Sequence, residues 1–325
     1  MACLAAVAPE RVASLLMSGP PPSLGIAALV TTAALWGSNH VVARAVRDAI
    51  PLPSLVFWRW FVGATLLTLI AIPALRMARA RLRRLAPELA IGGVIGVGVF
   101  SFLLLGGAYH SLALEVGLIN ATTPIWVAVL GVVLGTDRLS ARGAIGLSFA
   151  LAGTLVITAR GDPSALARLQ FGFGNLLSLL AAISFAWFSL RVRVWARTID
   201  TMSITVVTAW AGILLVMLPV YLVAGLMTGH WFVQPGADLT QAAAAIGYMA
   251  IGPTMLGNLF YLYGVAATGP ARAATFLYLS PVFSALFAIA ILGERLEWFH
   301  LVGVAVIAVG LWLVMGAART ATRTD

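Results

Sequence analysis

Lysine is absent from this chain, cysteine occurs once, and only 10% of the 325 residues are charged. Each shortage excludes something. A soluble domain carries about 25% charged residues, so this chain lacks the means to cover a water-facing surface. The single cysteine, Cys3, rules out an intrachain disulfide and a thiolate metal cluster. Without lysine there is no phosphate-cradling G-x-x-x-x-G-K-[ST] loop, which removes the usual route to ATP drive. H-E-x-x-H is missing, as is any pair of carboxylates within an apolar run. A membrane-embedded hydrolase or transferase would need such a pair, a nucleophile with its base, or a metal cluster. The expectation is therefore no enzyme, no metal and no cofactor. No long polar segment offers room for a soluble receptor or scaffold domain.

What is present is apolar. Hydrophobic residues make up 61% of the chain. A helix needs about 20 apolar residues to cross the hydrocarbon core. Ten such runs are read: 24–46, 53–75, 87–110, 116–135, 142–159, 172–192, 203–227, 242–266, 271–292 and 298–317. The fold class expected is an all-α membrane protein of ten transmembrane helices joined by short loops. The net charge of +9 comes from arginines in the gaps between runs. That pattern signals topology rather than nucleic-acid binding. With the N-terminus placed in the cytoplasm, fourteen arginines fall inside, five fall outside, and Arg59 lies within a span. Both termini are thus expected in the cytoplasm, with 1–23 and 318–325 as tails. The first tail has no basic region ahead of its apolar part, so it is a poor secretory signal.

The chain repeats itself. "TTPIWVAVLGVVLGTDRLSARGAIGLSFALAG" from Thr122 returns as "LSPVFSALFAIAILGERLEWFHLVGVAVIAVG" from Leu279. Pro124 answers to Pro281, Asp137 to Glu294, Gly146 to Gly303 and Gly153 to Gly310, each 157 residues apart. Gly25 answers to Gly174 and Arg44 to Arg193 at a spacing of 149. Two five-span copies follow, 24–160 and 171–317. Five is odd, so the second copy is inverted relative to the first. Inverted repeats are a plan of secondary transporters, with substrate held near mid-membrane between the copies.

Several stretches carry a resemblance. "LWGSNHVVAR", "RWFVGATLL", the paired "TTPIWVAVLGVVLGTDRLS" and "SPVFSALFAIAILGERL", and "GVAVIAVGLWLV" resemble the drug/metabolite transporter superfamily, EamA type, over about residues 24–317. "GAYHSLALEVGLINATTPIW" and the aromatic-rich spans are most similar to the YddG-type exporters within it. The first copy departs from the pattern with "GTDRL" in place of "GERL". The resemblance implies an alternating-access exporter of amino acids, aromatic ones included, or similar metabolites, in the bacterial cytoplasmic membrane. Hydrophobic cationic drugs are the alternative cargo. The partners implied are a small-molecule substrate and the lipid bilayer, and a monomer is compatible with this plan.

Polar and aromatic groups deep in apolar spans are the candidate substrate contacts, because in lipid they must face protein or water. They are Trp36, Asn39, Tyr109, His110, Asn120, Trp126, Trp187, Asn258 and Tyr261. Trp36 and Trp187 fall at similar depths of opposite copies and are expected to face each other. Pro124 and Pro281, early in the fourth and ninth spans, are either static kinks or hinges. Arg59 either snorkels to the headgroups or meets a substrate carboxylate. Trp60 beside it is expected in the interfacial belt. Asp137 and Glu294 are expected to complement the positive ends of the helices that follow them. Gly92, Gly93, Gly96 and Gly98 are expected to let the third span pack closely.

Overall fold

The computed structural model describes residues 22–120, 122–135, 141–158, 161, 162, 164, 172–268, 276 and 279–321. Asp137, Arg138, Arg272, Tyr278 and the first 21 residues lie outside these. All regular structure among the described residues is helical. In chain order the helices are α1 (Pro22–Ala45), α2 (Leu52–Arg84), α3 (Ala86–His110), α4 (Ala113–Asn120) and α5 (Thr123–Val133). There follow α6 (Ala141–Thr158), α7 (Phe173–Trp195), α8 (Thr201–Thr228), α9 (239–268), α10 (Ser280–Leu292) and α11 (Trp298–Ala321). Among the described residues, seven stretches are long and apolar enough to cross a membrane: α1, α2, α3, Glu115–Val133, α7, α8 and α9. Outward-facing leucine, valine and isoleucine such as Leu69, Leu226 and Ile291 stay exposed, as suits a lipid solvent.

Two boundaries differ from the sequence expectation. The second span runs on to Arg84 rather than stopping near residue 75. Arginine, alanine and leucine are good helix formers, so the basic run prolongs the helix instead of forming a loop. The fourth span begins earlier than residue 116, with α4 from Ala113 to Asn120 and α5 from Thr123, residue 121 lying outside the described residues.

The turns gather at two ends. Arg44, the α1–α2, α3–α4, α8–α9 and α10–α11 turns share one end. There the Gln234 amide donates to the Ala49 carbonyl at 2.9 Å, and the Tyr109 hydroxyl donates to the Ile50 carbonyl at 2.8 Å. At the other end, Arg81 donates to the Thr198 carbonyl at 3.1 Å. Local chemistry fixes where helices start and stop. Asp200 caps α8 by accepting from the Ser203 amide, and Asp238 caps α9 by accepting from the Thr240 amide. Gly229 (φ 73°) and Gly293 (φ 65°) close α8 and α10 in left-handed conformations that glycine adopts freely.

Helix α1 packs against α9 and α10, while α7 packs against α3, α4 and α5. Helix α2 packs on α8 and α9, while α8 packs on α2 and α3. Helix α6 lies along α11. These pairings recur when α1 is exchanged for α7, α2 for α8, α3 for α9 and α4–α5 for α10, whereas the α1–α3 contact has no such match. The α6–α11 contact is made by repeated glycines. A Cβ on Gly153 would lie 2.7 Å from the Gly303 carbonyl and 2.9 Å from the Ile307 amide. Third-span glycines serve the same end: a Cβ on Gly93 would lie 2.6 Å from the Ala211 Cβ and 3.0 Å from the Gly212 amide.

Among the described residues, three helices contain a wide π turn: Val94–Val99 in α3, Ile213–Met217 in α8 and Ala250–Leu256 in α9. The first and third are related by the repeat, since residue 94 shifted by 157 falls at 251. Such turns leave carbonyls without an ordinary helical donor. In α9, Pro253 cannot donate to the Met249 carbonyl, and the Thr254 hydroxyl does so instead at 2.9 Å. Ser184 of α7 donates to the Ile95 carbonyl of α3 at 2.7 Å, and Trp36 of α1 donates to the Pro253 carbonyl of α9 at 3.0 Å. The wide turn of α3 is therefore held by α7, and that of α9 by α1.

Candidate functional site

The sequence-nominated residues fall into three groups. The first lies where α1 meets α9. Trp36 sits against Gly257, where a Cβ would approach its indole nitrogen to 2.6 Å. Its ring lies 5.4 Å from that of Tyr261 at a tilt of 39°. Asn258, next to Gly257, donates to the Thr254 carbonyl at 2.6 Å. Trp36, Asn258 and Tyr261 thus share one seam between the two copies. Trp187 is half-buried on α7 and makes no ring contact among the described residues.

The second group surrounds α4 and α5. Asn120 turns back to the Val116 carbonyl at 2.9 Å. Trp126 donates to the Thr122 hydroxyl at 3.2 Å. Pro124 and Pro281 are each the second residue of a helix, α5 and α10. An amide there has no intrahelical acceptor, so proline costs nothing. Both prolines therefore mark helix beginnings.

The third group closes the Arg44 end. Tyr109 is tied to Ile50 as described, and His110 is exposed with its ring 5.3 Å from Phe173.

Three residues behave otherwise than the sequence suggested. Arg59 does not snorkel. It is 3% exposed and donates to the Asn39 side-chain oxygen at 2.8 Å. Burying arginine in a membrane span costs about 2.5–3.5 kcal/mol on insertion scales, and no described carboxylate offsets it. Trp60 is not in an interfacial belt. It is 9% exposed, and its indole donates to the fully buried Ser101 hydroxyl at 2.7 Å. An indole near a span end suits a headgroup or a core equally; here a hydroxyl on α3 decides.

Glu294 precedes α11 by four residues and does not cap it. Its carboxylate accepts from the Ala113 amide, at the start of α4, at 3.0 Å. It also pairs with Arg44 at 3.0 Å. The attraction of a carboxylate to a positive helix end holds, but the helix is one from the other copy. Arg44 in turn donates to the Ser111 carbonyl, and the wholly buried Glu115 lies within reach of its field. At the opposite end Arg191 pairs with Glu88, which also accepts from the Trp195 indole at 3.0 Å.

Comparison with known proteins fits this arrangement. The profile of the EamA-like transporter family matches twice, over residues 23–159 and 172–316. Similar proteins include the uncharacterized transporter YyaM of Bacillus subtilis (strain 168), 23% identical over 81% of this chain and 84% of that protein. A probable terminal-alkyne amino-acid exporter of Streptantibioticus cattleyicolor is 27% identical over 90% of this chain and 93% of its own. The uncharacterized inner membrane transporter YedA of Escherichia coli (strain K12) is 23% identical over 85% and 86%. A solved crystal structure shares the fold with a TM-score of 0.59 at 19% identity, covering 93% of this chain and 99% of that one.

Proposed function

The chain belongs to the EamA-like transporter family, a multi-pass membrane protein, and we propose that it is a secondary transporter working by alternating access. In this reading ten spans form two inverted five-helix copies in the bacterial cytoplasmic membrane, both termini in the cytoplasm. It exports amino acids, aromatic ones among them, or similar small metabolites. The substrate and the bilayer are its partners, and a monomer suffices. The observation that carries the proposal is the exchange of first helices. Each copy's first helix is buried against the third and fourth spans of the other and holds a wide π turn there. An element built this way has two related arrangements, which is what rocking of repeats requires. Trp36, Asn39, Trp126, Trp187, Asn258 and Tyr261 line the path, Tyr109 and His110 its mouth at the Arg44 end. Asn120 lines the path as well, and the helix starts at Pro124 and Pro281 are the hinges. A buried Arg59 disfavours hydrophobic cations as cargo.

The test is flux. Purified protein in liposomes is expected to exchange preloaded amino acids in counterflow without a proton gradient, since no central carboxylate is available for coupling. A panel in which no amino acid exchanges would refute the amino-acid reading.

Orientation has its own test. In a Cys3→Ala background, Ala237→Cys is expected to react with an impermeant thiol reagent in intact cells. Ala80→Cys, exposed on the basic stretch of α2, is expected to stay shielded. The reverse pattern would place the Arg44 end in the cytoplasm.

A further inference from the structure

The cation inside the first copy is the feature that the exchange of helices leaves unexplained. Arg59 is the eighth residue of α2, about 10 Å along the axis from the helix start at 1.5 Å per residue. It is buried, and its Nε has no hydrogen-bond partner. Its hydrogen-bond partner is the Asn39 oxygen, and its guanidinium lies 5.4 Å from the centre of the Trp60 ring. His40, the next residue on α1, is 6% exposed and leaves Nδ1 unpartnered. His40 lies beside Gly117 of α4, where Ser284 of α10 also makes contact. Four helices, α1, α2, α4 and α10, thus contribute to a neighbourhood that holds the polar side chains of Asn39, His40, Arg59 and Ser284. A buried cation is normally paired with an anion, and this cluster holds none among the described residues.

The second copy has nothing equivalent. A shift of 149, the spacing of Arg44 and Arg193, carries Arg59 to Thr208 and Trp60 to Ala209. Were Arg59 needed only to pack two copies together, its counterpart would meet the same demand. Asn39 also lies three residues beyond Trp36, on the same face of α1. The Trp36–Tyr261 pair therefore begins one helical turn along α1 from Asn39, the partner of the guanidinium.

We propose that Arg59 and Asn39 form an anion subsite that takes the carboxylate of the substrate, with the Trp36–Tyr261 seam receiving its apolar or aromatic body. The ligand class is a small organic carboxylate, α-amino acids included. This rests on the transporter reading above and narrows it. A guanidinium can bind a carboxylate through two parallel N–H donors. The free Nε and the terminal nitrogen beyond Asn39 provide that edge. The Asn39 oxygen holds the remaining terminal nitrogen and so fixes the plane of the fork.

The test separates binding from transport. Thermal stability of the detergent-purified protein is measured with L-phenylalanine, phenylacetate, L-phenylalaninamide and phenethylamine. Phenylalanine and phenylacetate are expected to raise Tm by several degrees, and the two compounds without a carboxylate to have little effect. Arg59→Gln should weaken the carboxylate response at least ten-fold. Asn39→Asp gives Arg59 a carboxylate of its own. It should raise Tm without ligand and abolish the response to both acids, which decides the matter even if Arg59→Gln fails to fold. Equal stabilisation by acid and amide, no response to any probe, or an undiminished response in Asn39→Asp would overturn the proposal. Liposome counterflow distinguishes the two levels. Carboxylate binding without flux leaves the subsite and removes the transporter reading. Amino-acid flux whose preference for carboxylates survives Arg59→Gln leaves the transporter and removes the subsite.

Discussion

Glu294→Gln is expected to lower stability by about 2–3 kcal/mol and to loosen the Arg44 end of the molecule. The carboxylate is 5% exposed and holds two partners at once, the Arg44 guanidinium and the Ala113 amide. Removing one member of a buried pair costs about 3–5 kcal/mol because the other charge is left uncompensated. Here the Arg44 side chain is 20% exposed, and it keeps the Ser111 carbonyl and the field of Glu115. Those remaining partners put the loss at the lower end. The pair ties the α10–α11 turn of one copy to α1 and α4 of the other. Any motion that opens this end must break it. A loss of about 2 kcal/mol corresponds to roughly a 30-fold shift between closed and open populations, at 1.4 kcal/mol per factor of ten. Leu112→Cys, in the Cys3→Ala background, lines the small cavity of about 320 Å³ beside this turn. It should react with thiol reagent at least ten-fold faster once Glu294→Gln is added. Arg44→Gln combined with Glu294→Gln should cost less than the two changes separately, since neither charge is then left alone. Glu88→Gln at the opposite end offers a contrast. Its pair with Arg191 is half exposed, and exposed pairs contribute little. Strictly additive effects, or an unchanged labelling rate, would show that Glu294 is not a latch.

The Glu294 case shows where the sequence is informative and where it stops. Features set by neighbours along the chain are legible. Apolar length gives the spans. Gly293 gives the left-handed turn. The repeated glycines reveal the close α6–α11 contact, because only a bare backbone fits against Gly303. Pro253 marks a disturbed helix, since a missing donor is visible in the residue itself. The π turns at Val94–Val99 and Ile213–Met217 carry no such mark, and nothing in "VIGVGV" or "ILLVM" announces them. Partners distant in sequence are equally hidden. Glu294 finds Arg44 and Ala113 on the other copy, and Arg59 finds Asn39 on another helix. A charge near a span end reads the same whether it turns to headgroups or inward. The candidate site is legible as a set of residue types, not as a grouping. Trp36, Asn258 and Tyr261 come together only because the first helix of one copy packs into the other.

Tryptophan offers the sharpest separation of packing from path. Trp60→Ala is expected to destabilise the protein by about 3–5 kcal/mol, the usual cost of truncating a large buried aromatic. Its ring belongs to the largest apolar cluster, and its indole is the donor to Ser101. Flux should fall only in proportion to the folded protein remaining. Trp36→Ala should behave differently. The ring is half-buried between α1 and α9, so less packing is lost. It removes the donor to the Pro253 carbonyl and one wall of the seam with Tyr261. Flux is expected to drop at least ten-fold while Tm falls by only a few degrees. Trp187→Ala, with no ring partner among the described residues, should resemble Trp36→Ala if it faces the same path. Trp312, 63% exposed, is the lipid-facing control, and Trp312→Ala should transport almost normally. Flux and thermal unfolding measured on all four variants decide the matter. If Trp36→Ala loses flux only in step with stability, its ring is a packing residue and the seam between α1 and α9 is not part of the path.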